Sequence, residues 1–462
     1  MDKRFVALLL MVMTMTVAVN AQRTAYPGGK AYFFRIALKD KNGSAYSLKH
    51  PEKFLSEKAI ERRRRQGLPV DSTDLPLAQR YVDGVCEMGV KVVGQSKWNN
   101  TLLVSTNDTT VRERVMALPY VTGVTLVLVT PDSIRPSRRV TYERQIPSHT
   151  DTLGYYGPAR KQIETLGGIR LHEAGFRGQG MTIGILDGGF MNADSIPYFR
   201  NTHILGTKNF SHPLNNDVCS ELDHGTMVLS CMGTNIPGYH VGTAPEAGYW
   251  LIRTESGYFE QPCEEDFWAM GAEFADSVGV DLINSSLGYN VYDNGRGSHK
   301  YRELNGHTAF ISRTASMLAR KGIILVNSAG NEGNGYWKKI GVPADAEDIL
   351  TAGALQPSLV NAPFSSLGPS DDGRVKPDVM AIGNPSSVVS GRGKVTTASG
   401  TSFAAPITCG MVASLWSALP HLTAYDIMDL VRGSADRYDH PDNVFGYGIP
   451  DYWKAYQNAI GK

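Results

Sequence analysis

A surplus of either charge is missing from this chain: 46 Lys plus Arg stand against 45 Asp plus Glu in 462 residues, a formal net charge of +1. A chain so balanced has no global field to gather nucleic acid or an anionic membrane, so neither is an expected partner. Repeats and low-complexity tracts are lacking as well, which, with 42% hydrophobic residues, leaves a folded, globular protein. Cysteine is scarce, five in all. In an oxidising compartment pairs could form, but one thiol must be left over. Long apolar runs are absent except one, residues 5–19, preceded by Lys3 and Arg4 and followed by the small-residue pattern Val19-Asn20-Ala21. That run is too short for a comfortable membrane span and reads as a signal peptide over residues 1–21, cleaved after Ala21. The mature chain is expected to be secreted or periplasmic, with no membrane attachment.

What is present divides in two. Residues 22–145 have the texture of a small α+β domain and linker, with strands expected at 31–38, 90–93, 102–104 and 121–129 and helices at 54–66 and 109–118. That order suggests a βαββαβ, ferredoxin-like unit. The run Arg62-Arg63-Arg64-Arg65 lies inside the first helix and reads as a solvated face, with Glu61 placed to pair with Arg65. Pro131, Pro136 and Pro147 then mark a linker. Across residues 146–462 the texture changes to short apolar runs, 181–186, 249–252, 281–284 and 323–327, alternating with helical segments. Runs of this kind are buried parallel strands, and the fold class is α/β with a parallel sheet flanked by helices. Chemistry in such sheets collects at the carboxyl ends of the strands.

Three stretches supply an acid, a base and a nucleophile. Asp187 ends the apolar run in TIGILDGGF, His224 stands in DHGTMVLSCMG, and Ser402 stands in SGTSFAAPITCGMVASLW at a helix start among small residues. Singly each has a plain structural explanation, since a strand-end Asp is usually a turn residue and a lone His usually structural. In the order Asp, His, Ser with these flanks they are far more specific.

Residues 155–459 resemble the subtilisin-like serine peptidases, with ILDGGF, HGTMV, INSSLG, SAGNEG and SGTSFAAP in that family's order. The preceding domain resembles the inhibitory propeptide of secreted members. The resemblance implies that Asp187 orients the imidazole, His224 is the general base, Ser402 is the nucleophile, and Asn331 donates to the oxyanion with the Ser402 N–H. It further implies that Ser286, Leu287 and Gly288 pair with extended substrate, while Gly330 and Gly341 line the pocket for the residue before the cut. The implied partners are protein or peptide substrates and the chain's own propeptide as intramolecular inhibitor, and a monomer is expected. No cofactor is required for this chemistry and no catalytic metal is expected. Structural calcium is common in the family, although no compact Asp/Asn loop makes a site evident.

Departures accompany the resemblance. Gly188 follows the acid where the family usually has Ser or Thr, so another donor must serve the Asp187 carboxylate. Glu264 and Glu265 fall near where relatives shape substrate pockets, and they are either a solvated helix start or carboxylates facing the groove. Cys219 and Cys263 lie in polar stretches, NDVCSE and EQPCEE, and are the favoured disulfide over Cys231–Cys409. A non-catalytic, peptide-binding subtilisin-like domain is the alternative reading, and it would be expected to lack one of Asp187, His224, Ser402 or Asn331. An esterase of the nucleophile-elbow type would need the opposite order of residues.

Overall fold

The structure is a computed structural model that describes residues 23–147 and 154–461. The signal peptide expected over residues 1–21 lies outside the described residues. Strands Tyr32–Leu38 (β1), Lys91–Ser96 (β2), Thr101–Thr106 (β3) and Val121–Val129 (β4) form an antiparallel sheet in the order β2-β3-β1-β4. Helix Glu57–Arg65 (α1) begins at Ser56, whose hydroxyl accepts the Ala59 N–H, and is followed by Gln79–Cys86 (α2) and Val111–Met116 (α3). The helix α2 adds to the expected βαββαβ pattern.

Because side chains alternate along a strand, β1 serves two cores. Phe34 and Ile36 pack with Tyr81, Val85, Val111 and Val115 from α2 and α3. Phe33 faces the other way and, with Leu103 and Val127, meets Cys263, Phe267 and Met270 of the second domain.

That second domain is built on a parallel sheet of seven strands. They are Thr182–Asp187 (β5), His203–Asn209 (β6), Gly248–Arg253 (β7), Leu282–Ser285 (β8), Ile324–Ser328 (β9), Leu350–Leu355 (β10) and Val379–Ile382 (β11). Their order is β11-β10-β9-β8-β5-β7-β6, every pair parallel. All but the edge strand β6 are almost wholly buried, because helices cover both faces. His224–Gly233 (α4), Thr401–Ala418 (α6) and Ala424–Ser434 (α7) share one core, while Cys263–Val278 (α5) contributes Trp268, Ala272 and Ala275 to the other. With β5 between β8 and β7, Asp187 emerges at the carboxyl end near the middle of the sheet.

Two expectations are overturned here. Arg62 and Arg63 are not on a solvated face but are buried, 2% and 1% exposed, where α1 meets the second domain. Arg62 pairs with Asp276 and donates to the carbonyls of Val280 (2.5 Å) and Lys321 (3.1 Å), while Arg63 reaches Asp74 and Asp276, both at 2.9 Å. Glu61 pairs with Arg64 rather than Arg65, which reaches Asp281 instead. Of the four only Arg64 is exposed, while the other three reach the second domain, a division the spacing of four identical residues does not reveal.

The expected Cys219–Cys263 disulfide is not formed either, and all five cysteines are free. Cys219 is buried in the core beneath α4 and α6, whereas Cys263 opens α5 under the antiparallel sheet, so the two belong to separate apolar clusters. Polar neighbours in sequence did not keep either thiol in solvent.

Buried ion pairs tolerate the loss of one partner poorly, because the survivor keeps its desolvation penalty. Asp276→Ala, which strands Arg62 and leaves Arg63 only Asp74, is expected to cost the precursor about 3–5 kcal/mol in denaturant unfolding. A loss below about 1 kcal/mol would put the cluster in the class of surface pairs.

Candidate functional site

The residues singled out from sequence come together in one cleft of about 390 Å³ at the carboxyl end of the parallel sheet. Asp187, His224, Ser286, Leu287, Gly288, Gly330, Asn331, Gly341 and Ser402 all line it. Glu264 and Glu265 do not.

Asp187 has no exposed surface, so its carboxylate needs donors from the protein. His224 Nδ1 supplies one at 2.9 Å, and the Gly188 N–H supplies another at 2.8 Å to the same oxygen. The hydroxyl missing at position 188 is thus replaced by the backbone of that very residue. His224 opens α4, leaving its ring partly open to the cleft. Burial draws the imidazolium down, but the Asp187 charge and hydrogen bond outweigh it, with smaller help from Glu255 and Asp223, and the pKa is pushed up to about 9.

Ser402 is the second residue of α6, where N–H groups are left without intrahelical partners. Its Oγ donates to the Ser286 carbonyl at 3.4 Å, and Ser286 Oγ returns a bond to the Ser402 carbonyl at 2.8 Å. Asn331 is fixed by its oxygen, which accepts from Thr401 N at 2.9 Å and Thr401 Oγ1 at 3.0 Å. Anchoring the oxygen leaves the amide Nδ2 as the free end, beside Gly400 at the start of α6. Gly330, at φ +104°, turns the chain between β9 and Asn331, and a Cβ there would meet Ser366 Oγ at 2.9 Å. At Gly341 the Asn290 amide oxygen stands 2.7 Å from where a Cβ would be.

Glu264 and Glu265 are neither a solvated helix start nor groove carboxylates. Both are buried, at 0% and 3% exposure. Glu264 accepts the N–H groups of Ser256 (2.9 Å) and Gln261 (3.2 Å), and Glu265 accepts from Tyr292 Oη (2.8 Å), Ile311 N (3.0 Å) and His299 (3.2 Å). Besides Asp187, Asp223 and Glu332, the acids that line the cleft are Glu255 and Glu260, in the segment between β7 and α5. Sequence reasoning missed both, although the spacing TESGYFEQPCEE shows four glutamates within eleven residues.

The linker after the antiparallel sheet does not enter the cleft over its described residues. Ser137 N donates to Tyr258 Oη, Arg139 engages Asn192, Asp194 and Ser195, and Glu143 N donates to the Arg392 carbonyl. Among the described residues no cluster of three or more His, Cys, Asp or Glu side chains is arranged to hold a metal ion, and no helix is long and apolar enough to cross a membrane.

Comparison with known proteins adds two matches to this geometry. Residues 178–448 match the model of the subtilase family, and residues 33–142 match the peptidase S8 propeptide domain of Bacteroidota. Among curated relatives, Serine protease AprX of Bacillus subtilis (strain 168) is 25% identical over 343 residues, 67% of this chain and 72% of that one. Subtilisin NAT of Bacillus subtilis subsp. natto is 27% identical over 286 residues, covering 60% of this chain and 65% of the relative. The Subtilisin-like protease SBT6.1 of Arabidopsis thaliana is 28% identical over 288 residues, 58% of this chain but 25% of the plant protein.

The geometry around His224 makes a direct prediction. An NMR titration of its imidazole is expected to show a midpoint near 9, charged below and neutral above. In Asp187→Asn burial is opposed only by the smaller influence of Glu255 and Asp223, and the midpoint should fall by more than about two units. A midpoint in both proteins near the ordinary value of about 6.5 would mean that the carboxylate does not govern the ring.

Proposed function

The chain belongs to the subtilase family of serine-type endopeptidases, and we propose that it is an exported precursor whose Asp187, His224 and Ser402 hydrolyse peptide bonds. The observation that carries this reading is the convergence of those three side chains with Asn331 in one cleft beside an extended backbone segment. Substrate lies along Ser286, Leu287 and Gly288, with the side chain before the cut directed between Gly330 and Gly341. Ser402 Oγ turns from its long bond to the Ser286 carbonyl toward His224 Nε2 and attacks the scissile carbonyl carbon as His224 takes its proton. Asp187 holds Nδ1–H, fixing the tautomer, and stabilises the imidazolium. The carbonyl oxygen, now negative, is met by Asn331 Nδ2 and the Ser402 N–H at the helix start. His224 returns the proton to the leaving amine as the C–N bond breaks, and a water activated by the same ring hydrolyses the acyl-enzyme.

The N-terminal domain acts as propeptide inhibitor. It packs on α5, and Gln261, at the end of the cleft wall, exchanges hydrogen bonds with Val129 N (3.0 Å) and Val129 O (3.1 Å). Maturation then cuts the chain between the two matched regions, after residue 142 and before residue 178.

Secreted protein should label with a fluorophosphonate and cleave an unfolded protein substrate, and Ser402→Ala should lose both activities. Failure to label, with a folded chain, would favour a non-catalytic subtilase that only binds peptides. Asn331→Leu is expected to lower kcat by about 10²–10³ with little change in KM, the size known for one such donor in a subtilisin. An unchanged rate would remove Asn331 from the oxyanion site.

A further inference from the structure

Two asparagine side chains line the cleft with Ser402, and only one of them is held. The Asn331 oxygen accepts from Thr401 N and Oγ1, which leaves its nitrogen free for the oxyanion. Asn290 has no such anchor. Its amide oxygen is buried and accepts no hydrogen bond, and no partner stands at the nitrogen end among the described residues. A buried acceptor left unmet keeps its full desolvation penalty. The residue as a whole is partly exposed, so the amide belongs to the surface of the cleft and not to the core behind it.

The place of that amide is set by two glycines and by its own main chain. Its oxygen lies 2.7 Å and its carbon 3.3 Å from where a Cβ on Gly341 would be, so a larger residue at 341 would displace it. Gly330 lies close by, with its own Cβ position 3.8 Å from Gly341 N. The amide therefore borders the recess between Gly330 and Gly341. Tyr289 N donates to the Val342 carbonyl at 2.8 Å, Val342 N returns a bond to the Tyr289 carbonyl at 3.1 Å, and His299 N donates to the Asn290 carbonyl at 2.8 Å. Main-chain bonds on both sides of the Asn290 Cα keep it in register with Gly341. Glu332 lines the cleft as well, but it is exposed, and its carboxylate lies along its own loop, 2.9 Å from where a Cβ on Gly335 would be.

We infer that Asn290 is a specificity-determining residue whose amide pairs with a carboxamide on the substrate side chain that enters between Gly330 and Gly341. The side chain selected before the cut is then Gln. This rests on the endopeptidase reading and adds the class of residue at which the chain is cut. An amide both donates and accepts, and a second amide is the neutral group that answers both ends at once. Met has about the length of Gln but offers no N–H and only a weak acceptor, and ionised Glu offers acceptors alone. A recess that contains an unmet amide discriminates against a side chain that fills the space without bonding to it.

The test is a peptide library cleaved by the wild-type mature enzyme, followed by matched fluorogenic peptides that differ only in Gln, Met or Glu before the cut. Fluorophosphonate labelling is run in parallel. The wild type should prefer Gln over Met by about 10- to 100-fold in kcat/KM, and over Glu by at least as much. Asn290→Leu, which keeps the size and removes the amide, should bring the Gln-to-Met ratio to one or below. A labelled, active wild type that cuts after Met as well as after Gln overturns the inference and leaves the peptidase reading intact. A preference for Gln that survives Asn290→Leu also overturns it. Absence of both labelling and cleavage from a folded chain overturns the two together. The wild-type ratio decides the matter even where the variant fails to fold.

Discussion

The Asp187 carboxylate is charged, central and fully enclosed, and the arrangement of the site follows from satisfying it. A buried carboxylate is tolerated only with donors or cations in place. The backbone of β5 is already committed to β8 and β7 on either side, so donors must come from what lies beyond the strand. Gly188 N–H is one, and it can be reached because the chain turns immediately. His224 is the other, and it requires α4 to begin where β5 ends. That approach is very close: Gly225 N donates to the Gly189 carbonyl at 2.9 Å, and a Cβ on Gly225 would lie 2.6 Å from the same oxygen. The glycines of ILDGGF and HGTMV are there so that Asp187 and His224 can meet.

The interface between the two domains answers the same constraint with a different sign of outcome. Arg35, Arg62 and Arg63 from the N-terminal domain face Asp266 and Asp276 of α5, and Glu273 accepts the Lys97 and Trp98 N–H groups at 2.8 and 3.1 Å. Once the domains part, every one of these groups regains water, so the ion pairs contribute less to adhesion than their number suggests. Their effect is to select one register, while Phe33, Leu103 and Val127 against Phe267 and Met270 supply most of the apolar attraction. An inhibitor that must be both correctly seated and removable is served by that division.

Sequence reading succeeded where one rule governed a residue. Strand β4 was legible to its ends at 121 and 129, and β5, β7, β8 and β9 to within a residue or so, because apolar, β-branched runs have few other uses. Strand β6 was missed since, at the edge, HILGTKN alternates exposed His203, Leu205 and Thr207 with partly buried Ile204 and Gly206 and reads as loop. LTAGAL and VMAI are short and rich in small residues, so β10 and β11 carry little strand signal until β9 pairs with them. That Asp187, His224, Asn331 and Ser402 share one cleft was legible by motif. The surroundings of Arg62, Cys263 and Glu264 were not, because each is polar in its local context and buried by a partner far away in the chain. The pair Glu264-Glu265 drew attention by adjacency, whereas Glu255 and Glu260, which do reach the cleft, are five residues apart on a loop with no regular period.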